Sequence, residues 1–144
     1  MIVNLPWLPV PDDAEREQFS QLAGADLAEW RTLLGRGWSE SQLRRAGQRI
    51  RKHLADAPSA DVAGAGLSSF KLLVLASHTF SHMADAIIAS AVRHGVALQI
   101  ELVEYSDPAS WLANPANRAD AFDGVLLAVD AKAWRIDVPD DGES

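Results

Sequence analysis

Residues 70–76, with the sequence FKLLVLA, form a nearly unbroken apolar run in the middle of the chain. Such a run is typical of a strand that is buried on both faces, as in a parallel sheet. It is followed at once by Ser77, His78 and Thr79, whose hydroxyl groups suit the start of a helix. The stretch therefore predicts the first strand and turn of a β-α-β unit.

The sequence beyond this turn continues the alternation of helix and strand. Apolar residues recur at helical spacing as far as His94, and Gly95 is placed to end that helix. The apolar face of the helix consists of Phe80, Met83, Ala84, Ile87, Ile88, Ala91 and Val92. Residues 96–103 and 125–129 read as two more strands, with a short helix at 108–112 between them. This order predicts an α/β fold, a small three-layer core around a parallel sheet.

The residues before this core have a helical pattern. We expect short helices over residues 12–22 and 26–34, and a longer one from Ser39 to Ala57 with an apolar stripe. Residues 57–69, rich in Ala, Gly and Ser, favour a flexible connection. The sequence thus predicts a helical arm at 1–57, a linker at 58–69, a core at 70–135 and an acidic tail at 136–144.

Three strands make a small sheet for this fold class. Either the arm helices cover its apolar faces, or the fold is completed by another copy or by further sequence. Because natural proteins rarely leave a long apolar sheet edge open to water, we expect self-association, with a symmetric dimer as the simplest form.

Composition restricts the function classes. The 144 residues contain no cysteine, which excludes disulfides, thiolate metal sites and cysteine nucleophiles. The sequence pI of about 4.9 disfavours nucleic-acid binding. The N-terminal residues lack the pattern of a signal peptide, and no apolar stretch is long enough to predict a membrane span. We therefore expect a cytoplasmic protein.

Charge is unevenly distributed along the chain. Residues 31–53 hold seven basic side chains and one acidic one, although the net charge of the whole chain is −7. We predict that Arg44, Arg45, Arg49 and Lys52 contact an acidic partner, with Trp7 as a second docking residue. The alternative is that these cations balance the acidic remainder of the same chain.

Five segments of the sequence share features with a known family. They are the strand Leu72-Leu73-Val74-Leu75, the turn Ala76-Ser77-His78-Thr79, the helix end His94-Gly95-Val96, the segment Glu104-Tyr105 and the later run DGVLLAVD at 123–130. Together they resemble the N-terminal region of FkbH-like proteins. The similarity covers roughly residues 40–135. It implies a flavodoxin-like or SGNH-like core of which this chain is the first half. It also implies a link to loading of a glyceryl unit onto an acyl carrier protein in polyketide biosynthesis.

The catalytic domain of that family belongs to the haloacid dehalogenase (HAD) superfamily and needs an Asp-x-Asp motif, which this sequence lacks. The resemblance therefore implies a non-catalytic accessory or docking domain. Its partner would be an acyl carrier protein or a separately encoded catalytic protein.

The alternative function is that of a small SGNH-like acyl-ester hydrolase with Ser77 as its nucleophile, because an SGNH hydrolase has its nucleophile just after the first strand. Such an enzyme also needs a late Asp-x-x-His, and none of the four histidines has this spacing. Ser77, His78, Thr79 and Tyr105 are the predicted ligand-binding residues, because ligands of open α/β sheets bind at the carboxyl ends of the strands. The turn lacks a Gly-x-Gly-x-x-Gly motif, so we predict no nucleotide cofactor.

A metal site is the last candidate. His78, His82 and Asp85 lie at i, i+4 and i+7, a spacing that can place three ligands on one helix face. Two histidines four residues apart are common by chance, and the sequence identifies no fourth ligand. A structural or solvent-exposed role is the alternative, and we predict no metal.

Overall fold

A computed structural model describes residues 7–23 and 26–130 of the chain. The strands in this part are β1 (Ser68–Ala76), β2 (Val96–Val103) and β3 (Gly124–Ala128). The α-helices are α1 (Asp13–Gln21), α2 (Leu27–Leu33), α3 (Glu40–Leu54), α4 (Ser59–Gly64), α5 (Ser81–Arg93) and α6 (Pro108–Ala113). A 3-10 turn at Ala119–Ala121 precedes β3.

The three strands form one parallel sheet in the order β2-β1-β3. This arrangement confirms the predicted α/β class and the predicted β-α-β-α-β order. Leu73, Val74 and Leu75 of the central strand have no solvent-accessible surface. The unbroken apolar run of β1 therefore fits its place between two neighbouring strands, with both of its faces covered.

Two helices begin with the capping boxes that their sequences favour. The Asp12 carboxylate accepts a hydrogen bond of 2.8 Å from the Glu15 N–H, and the Glu15 carboxylate accepts one of 3.0 Å from the Asp12 N–H. Ser39 and Gln42 make the same reciprocal pair at the start of α3. Each box satisfies two N–H groups that a helix end leaves without intrahelical partners.

The helices before the sheet are packed as part of the main core. Phe19, Trp30, Leu34 and Ile50 from α1 to α3 share one buried cluster with residues of α5 and β2. The arm therefore covers apolar surface of the α/β unit within the same chain. Of the possibilities that the sequence leaves open, this packing is the one in which the arm helices cover apolar surface of the core.

The prediction of a flexible linker over residues 58–69 is wrong. The segment contains α4, and Val62 and Leu67 are buried in the same core cluster as the arm. A helix of less than two turns with only one inward apolar residue has too little periodicity to stand out from its Ala- and Gly-rich surroundings. Strand β1 then begins at Ser68, two residues earlier than predicted.

One face of α5 differs from the prediction. Met83 is 44% exposed, whereas Asp85 is buried. The reason lies on the neighbouring helix, because a Cβ atom on Gly47 of α3 would come within 1.7 Å of the Asp85 carbonyl oxygen. The backbones of α3 and α5 thus meet at Gly47, and this contact buries a polar position of α5.

Within the described residues, no helix combines the length and the hydrophobicity needed to cross a membrane. The predicted acidic tail at 136–144 and the last residues of the predicted core, 131–135, lie outside the described residues.

Candidate functional site

The loops after the three strands meet at the carboxyl end of the sheet. The Ser77 N–H donates to the Ala128 carbonyl oxygen at 3.1 Å, and the Ser106 N–H donates to the Ala76 carbonyl oxygen at 3.1 Å. From the central strand β1 the chain runs first to β2 on one side and then to β3 on the other. The carboxyl end of this sheet is therefore the switch point at which open α/β sheets bind ligands. The predicted ligand-binding residues belong to these loops.

Ser77 joins two of the loops through its side chain. Its Oγ accepts a hydrogen bond of 3.3 Å from the Asp130 N–H and lies 3.5 Å from His78 Nδ1. The His78 ring is exposed and follows Ser77 directly in sequence. The Ser77 hydroxyl therefore holds the β1 and β3 loops together, in addition to any role toward a ligand.

The structure brings together Thr79 and Tyr105, two of the predicted ligand-binding residues. The Thr79 hydroxyl and the Tyr105 phenol are hydrogen-bonded to each other, so the loop after β1 contacts the loop after β2. Tyr105 has a φ of 54°, in the left-handed region that a non-glycine residue rarely adopts, and its side chain is 74% exposed. The next residue, Ser106, has a buried Oγ for which the described residues supply no hydrogen-bond partner.

The three candidate metal ligands do not form a common site. Helix α5 begins at Ser81, so His78 precedes the helix and the i, i+4 geometry does not apply to it. His82 is exposed, while the buried Asp85 carboxylate lies 3.2 Å from the Arg51 guanidinium. No group of three or more potential ligand side chains occurs in the part of the chain that the structure describes.

Several arginines bind carbonyl oxygens where helices end. Arg49 of α3 donates to Phe19 O at 2.9 Å, and Arg93 of α5 donates to Leu34 O at 2.5 Å. Burial lowers the pKa of Arg93 from its ordinary value, because desolvation disfavours the charged guanidinium. These contacts satisfy the C-terminal carbonyls of α1 and α2. Arg49, predicted to contact a partner, is thus engaged inside this chain.

Three cations of α3 remain for the predicted contact surface. Arg45 and Lys52 are exposed, and Arg44 is half-buried. Arg45 and Lys52 are seven residues apart, which places them on the same side of the helix two turns apart. Within residues 7–23 and 26–130, the side chains of these three residues have no ion pair or hydrogen bond. We call Arg44, Arg45 and Lys52 the α3 cation face.

The tryptophans divide between core and surface. The Trp30 and Trp38 rings are buried, and their indole N–H groups donate to Ala23 O and Leu33 O. Trp7, the predicted second docking residue, is 65% exposed. Trp134 lies outside the described residues. Trp7 therefore keeps the exposure that a docking residue needs, while the buried pair stabilises the helical part of the core.

Comparisons with known proteins add no relative to this description. The similarity to FkbH-like proteins accordingly stays a prediction made from short segments of sequence, since no protein-family model, no curated protein and no solved structure matches this chain.

Proposed function

We propose that this chain is a non-catalytic accessory domain that binds an acidic protein through the α3 cation face. The partner that the FkbH-like resemblance suggests is an acyl carrier protein, or a separate catalytic protein of the same polyketide pathway. A cytoplasmic location, expected from the sequence, is part of this proposal. The single observation that carries it is a set of cations on one helix that form no ion pair within the described residues, in a chain of net charge −7.

The arrangement of charges within α3 supports the proposal. Arg49 and Arg51 are used internally, by the carbonyl groups of α1 and by Asp85. Contacts within the chain therefore account for these two residues, whereas Arg44, Arg45 and Lys52 have no such partner in the described part of the chain. Exposed charges of one sign steer an oppositely charged protein and raise its rate of association.

The test reverses charge only where the fold does not use it. We expect the double variant Arg45→Glu, Lys52→Glu to bind a purified acyl carrier protein from the source organism at least about tenfold more weakly than the parent chain. The control is Arg16→Glu, Lys71→Glu, which makes the same change in net charge at two exposed cations on other elements. Isothermal titration at two salt concentrations measures both affinities.

Three results decide the proposal. Loss of binding in the α3 variant alone, with salt-sensitive binding of the parent chain and an unchanged melting temperature, supports it. Equal loss in both variants shows that only net charge matters and contradicts a defined face. Absence of binding by the parent chain to carrier proteins, and to the catalytic proteins encoded beside it, refutes the proposed function.

The alternative, a small SGNH-like acyl-ester hydrolase that uses Ser77, has one observation in its favour. Ser77 lies at the carboxyl end of the central strand, 3.5 Å from a histidine nitrogen. However, the Ser77 oxygen accepts a hydrogen bond from the Asp130 N–H, and no side chain in the described part of the chain is shown to orient the adjacent His78 ring. We therefore rank hydrolysis below docking.

A further inference from the structure

Exposed apolar side chains concentrate on β3. Val125, Leu126 and Leu127 are 42%, 39% and 40% exposed, although each belongs to a strand of the sheet. Phe70 on the adjoining strand β1 is 37% exposed, and its ring lies against Gly124. Strand β3 therefore presents apolar surface on both faces, because consecutive side chains of a strand point in opposite directions.

The two edges of the sheet differ in their protection. Strand β2, at one edge, exposes Gln99 and Glu101 to solvent, and exposed polar or charged residues discourage pairing with another strand. Strand β3, at the other edge, has no charged residue between Gly124 and Ala128. It pairs only with β1 within the described part of the chain. The edge at β3 is thus the one suited to accept a further strand.

We propose that this further strand is β3 of a second copy, paired antiparallel about a two-fold axis at Leu126. The sequence of β3, GVLLA, has the same order of sizes in both directions. In this register Gly124 faces the partner's Ala128, Val125 faces the partner's Leu127, and Leu126 faces the partner's Leu126. Small residues meet small ones and large residues meet large ones, as a self-complementary two-fold interface requires.

Charge sets the conditions under which this dimer forms. Acidic residues, Asp123 and Asp130, flank the strand at its two ends, and antiparallel pairing brings one end of each copy beside the opposite end of the other. Each copy also has a net charge of −7. Because salt screens repulsion between like charges, dimerisation strengthens as salt rises. Binding of an acidic protein at the α3 cation face weakens as salt rises. The opposite salt dependence distinguishes a failure of the dimer from a failure of the proposed function.

The first experiment measures self-association by sedimentation equilibrium of the full chain, from low to high micromolar concentration. Substitution Leu126→Lys places two like charges opposite each other on the axis, and we expect it to weaken the dimer about tenfold or more. Leu112→Lys is the matched control, because Leu112 is 46% exposed on α6. The control should dimerise like the parent chain.

The second experiment tests the register in a chain that has no native cysteine. Directly opposite residues of an antiparallel pair have Cβ atoms close enough for a disulfide. Under mild oxidation with copper phenanthroline, Leu126→Cys should form a disulfide-linked dimer efficiently. Val125→Cys should not crosslink to itself, but should crosslink to Leu127→Cys in a mixture of the two variants.

A monomer of the parent chain at high micromolar concentration and high salt overturns the proposal. So does a dimer that Leu126→Lys leaves unchanged, or a disulfide yield that is the same at positions 125 and 126. In a monomer, protection from hydrogen exchange of the β3 amides that point away from β1 would show that another part of the same chain occupies the edge. That result also overturns a second copy as the occupant.

Discussion

The contact between α3 and α5 predicts the effect of a substitution that would ordinarily stabilise a helix. Replacement of glycine by alanine inside a helix favours folding by about 1 kcal/mol. At Gly47, however, the added Cβ would lie 1.7 Å from the Asp85 carbonyl oxygen and 2.9 Å from the Asp85 Cα. Contacts between carbon and oxygen are normally about 3.3 Å or more, so the helices must move apart by about 1.5 Å.

The expected change in the free energy of unfolding is the difference between the gain in helix propensity and the cost of overpacking. Overpacking of a well-packed core costs about 1 to 3 kcal/mol. The upper end applies here because the obstacle is helix backbone, which cannot rotate away as a side chain does. With the gain in helix propensity subtracted, we expect Gly47→Ala to lower the free energy of unfolding by about 2 kcal/mol. For a chain of this length that corresponds to a fall in melting temperature of about 6 °C.

The assay is urea and thermal unfolding followed by circular dichroism, with Gly64→Ala as the matched control. Gly64 is the last residue of α4, and a Cβ there would meet nothing within 4 Å. This control should be neutral or stabilise the protein by up to about 1 kcal/mol. The close approach of α3 to α5 is refuted if Gly47→Ala is as stable as Gly64→Ala and the slope of its free energy of unfolding against urea concentration is unchanged.

Three further predictions test other parts of the structure. Arg93→Met should lower the free energy of unfolding by about 1.5 to 3 kcal/mol, because the charge-assisted bond to Leu34 O is lost. Arg118→Met, at an exposed site, should leave the free energy of unfolding nearly unchanged. The Arg118 guanidinium holds the pKa of Asp120 below its ordinary value. Stability from this pair is therefore present above the ordinary pKa and lost as pH falls through the lowered one; NMR titration should show the pKa of Asp120 rise in Arg118→Met. Lastly, the parent chain should hydrolyse neither short acyl esters nor phosphate esters, and turnover that disappears in Ser77→Ala would contradict this.

The sequence was informative where local pattern and burial agree. Strand β1 is a continuous apolar run, and the predicted bounds of β2 match the structure. The start of α3 was also predictable, because Ser39 and Gln42 form a local capping box whose partners are three residues apart. These elements depend on neighbours in sequence, so a single sequence is enough to place them.

Other features depend on residues that are distant in sequence. The burial of Asp85 follows from the approach of Gly47, and the engagement of Arg49 follows from the carbonyl of Phe19, thirty residues away. Neither pairing leaves a periodic signal. In the candidate site, the α/β order predicted that the loops after β1 and β2 converge, but not which side chains pair. The hydrogen bond between Thr79 and Tyr105 depends on the left-handed backbone of Tyr105.

The α3 cation face and the proposed dimer edge at β3 lie toward opposite edges of the sheet. Helix α3 packs against α5 and approaches β2, where Gln99 donates to the Leu54 carbonyl oxygen at 3.1 Å. Strand β3 lies beyond β1 on the other side. A dimer formed through β3 therefore leaves both α3 cation faces free at its two ends. If both proposals hold, such a dimer would bind two acidic partners at once, and an assembly with repeated carrier proteins would be held at both ends without any new contact.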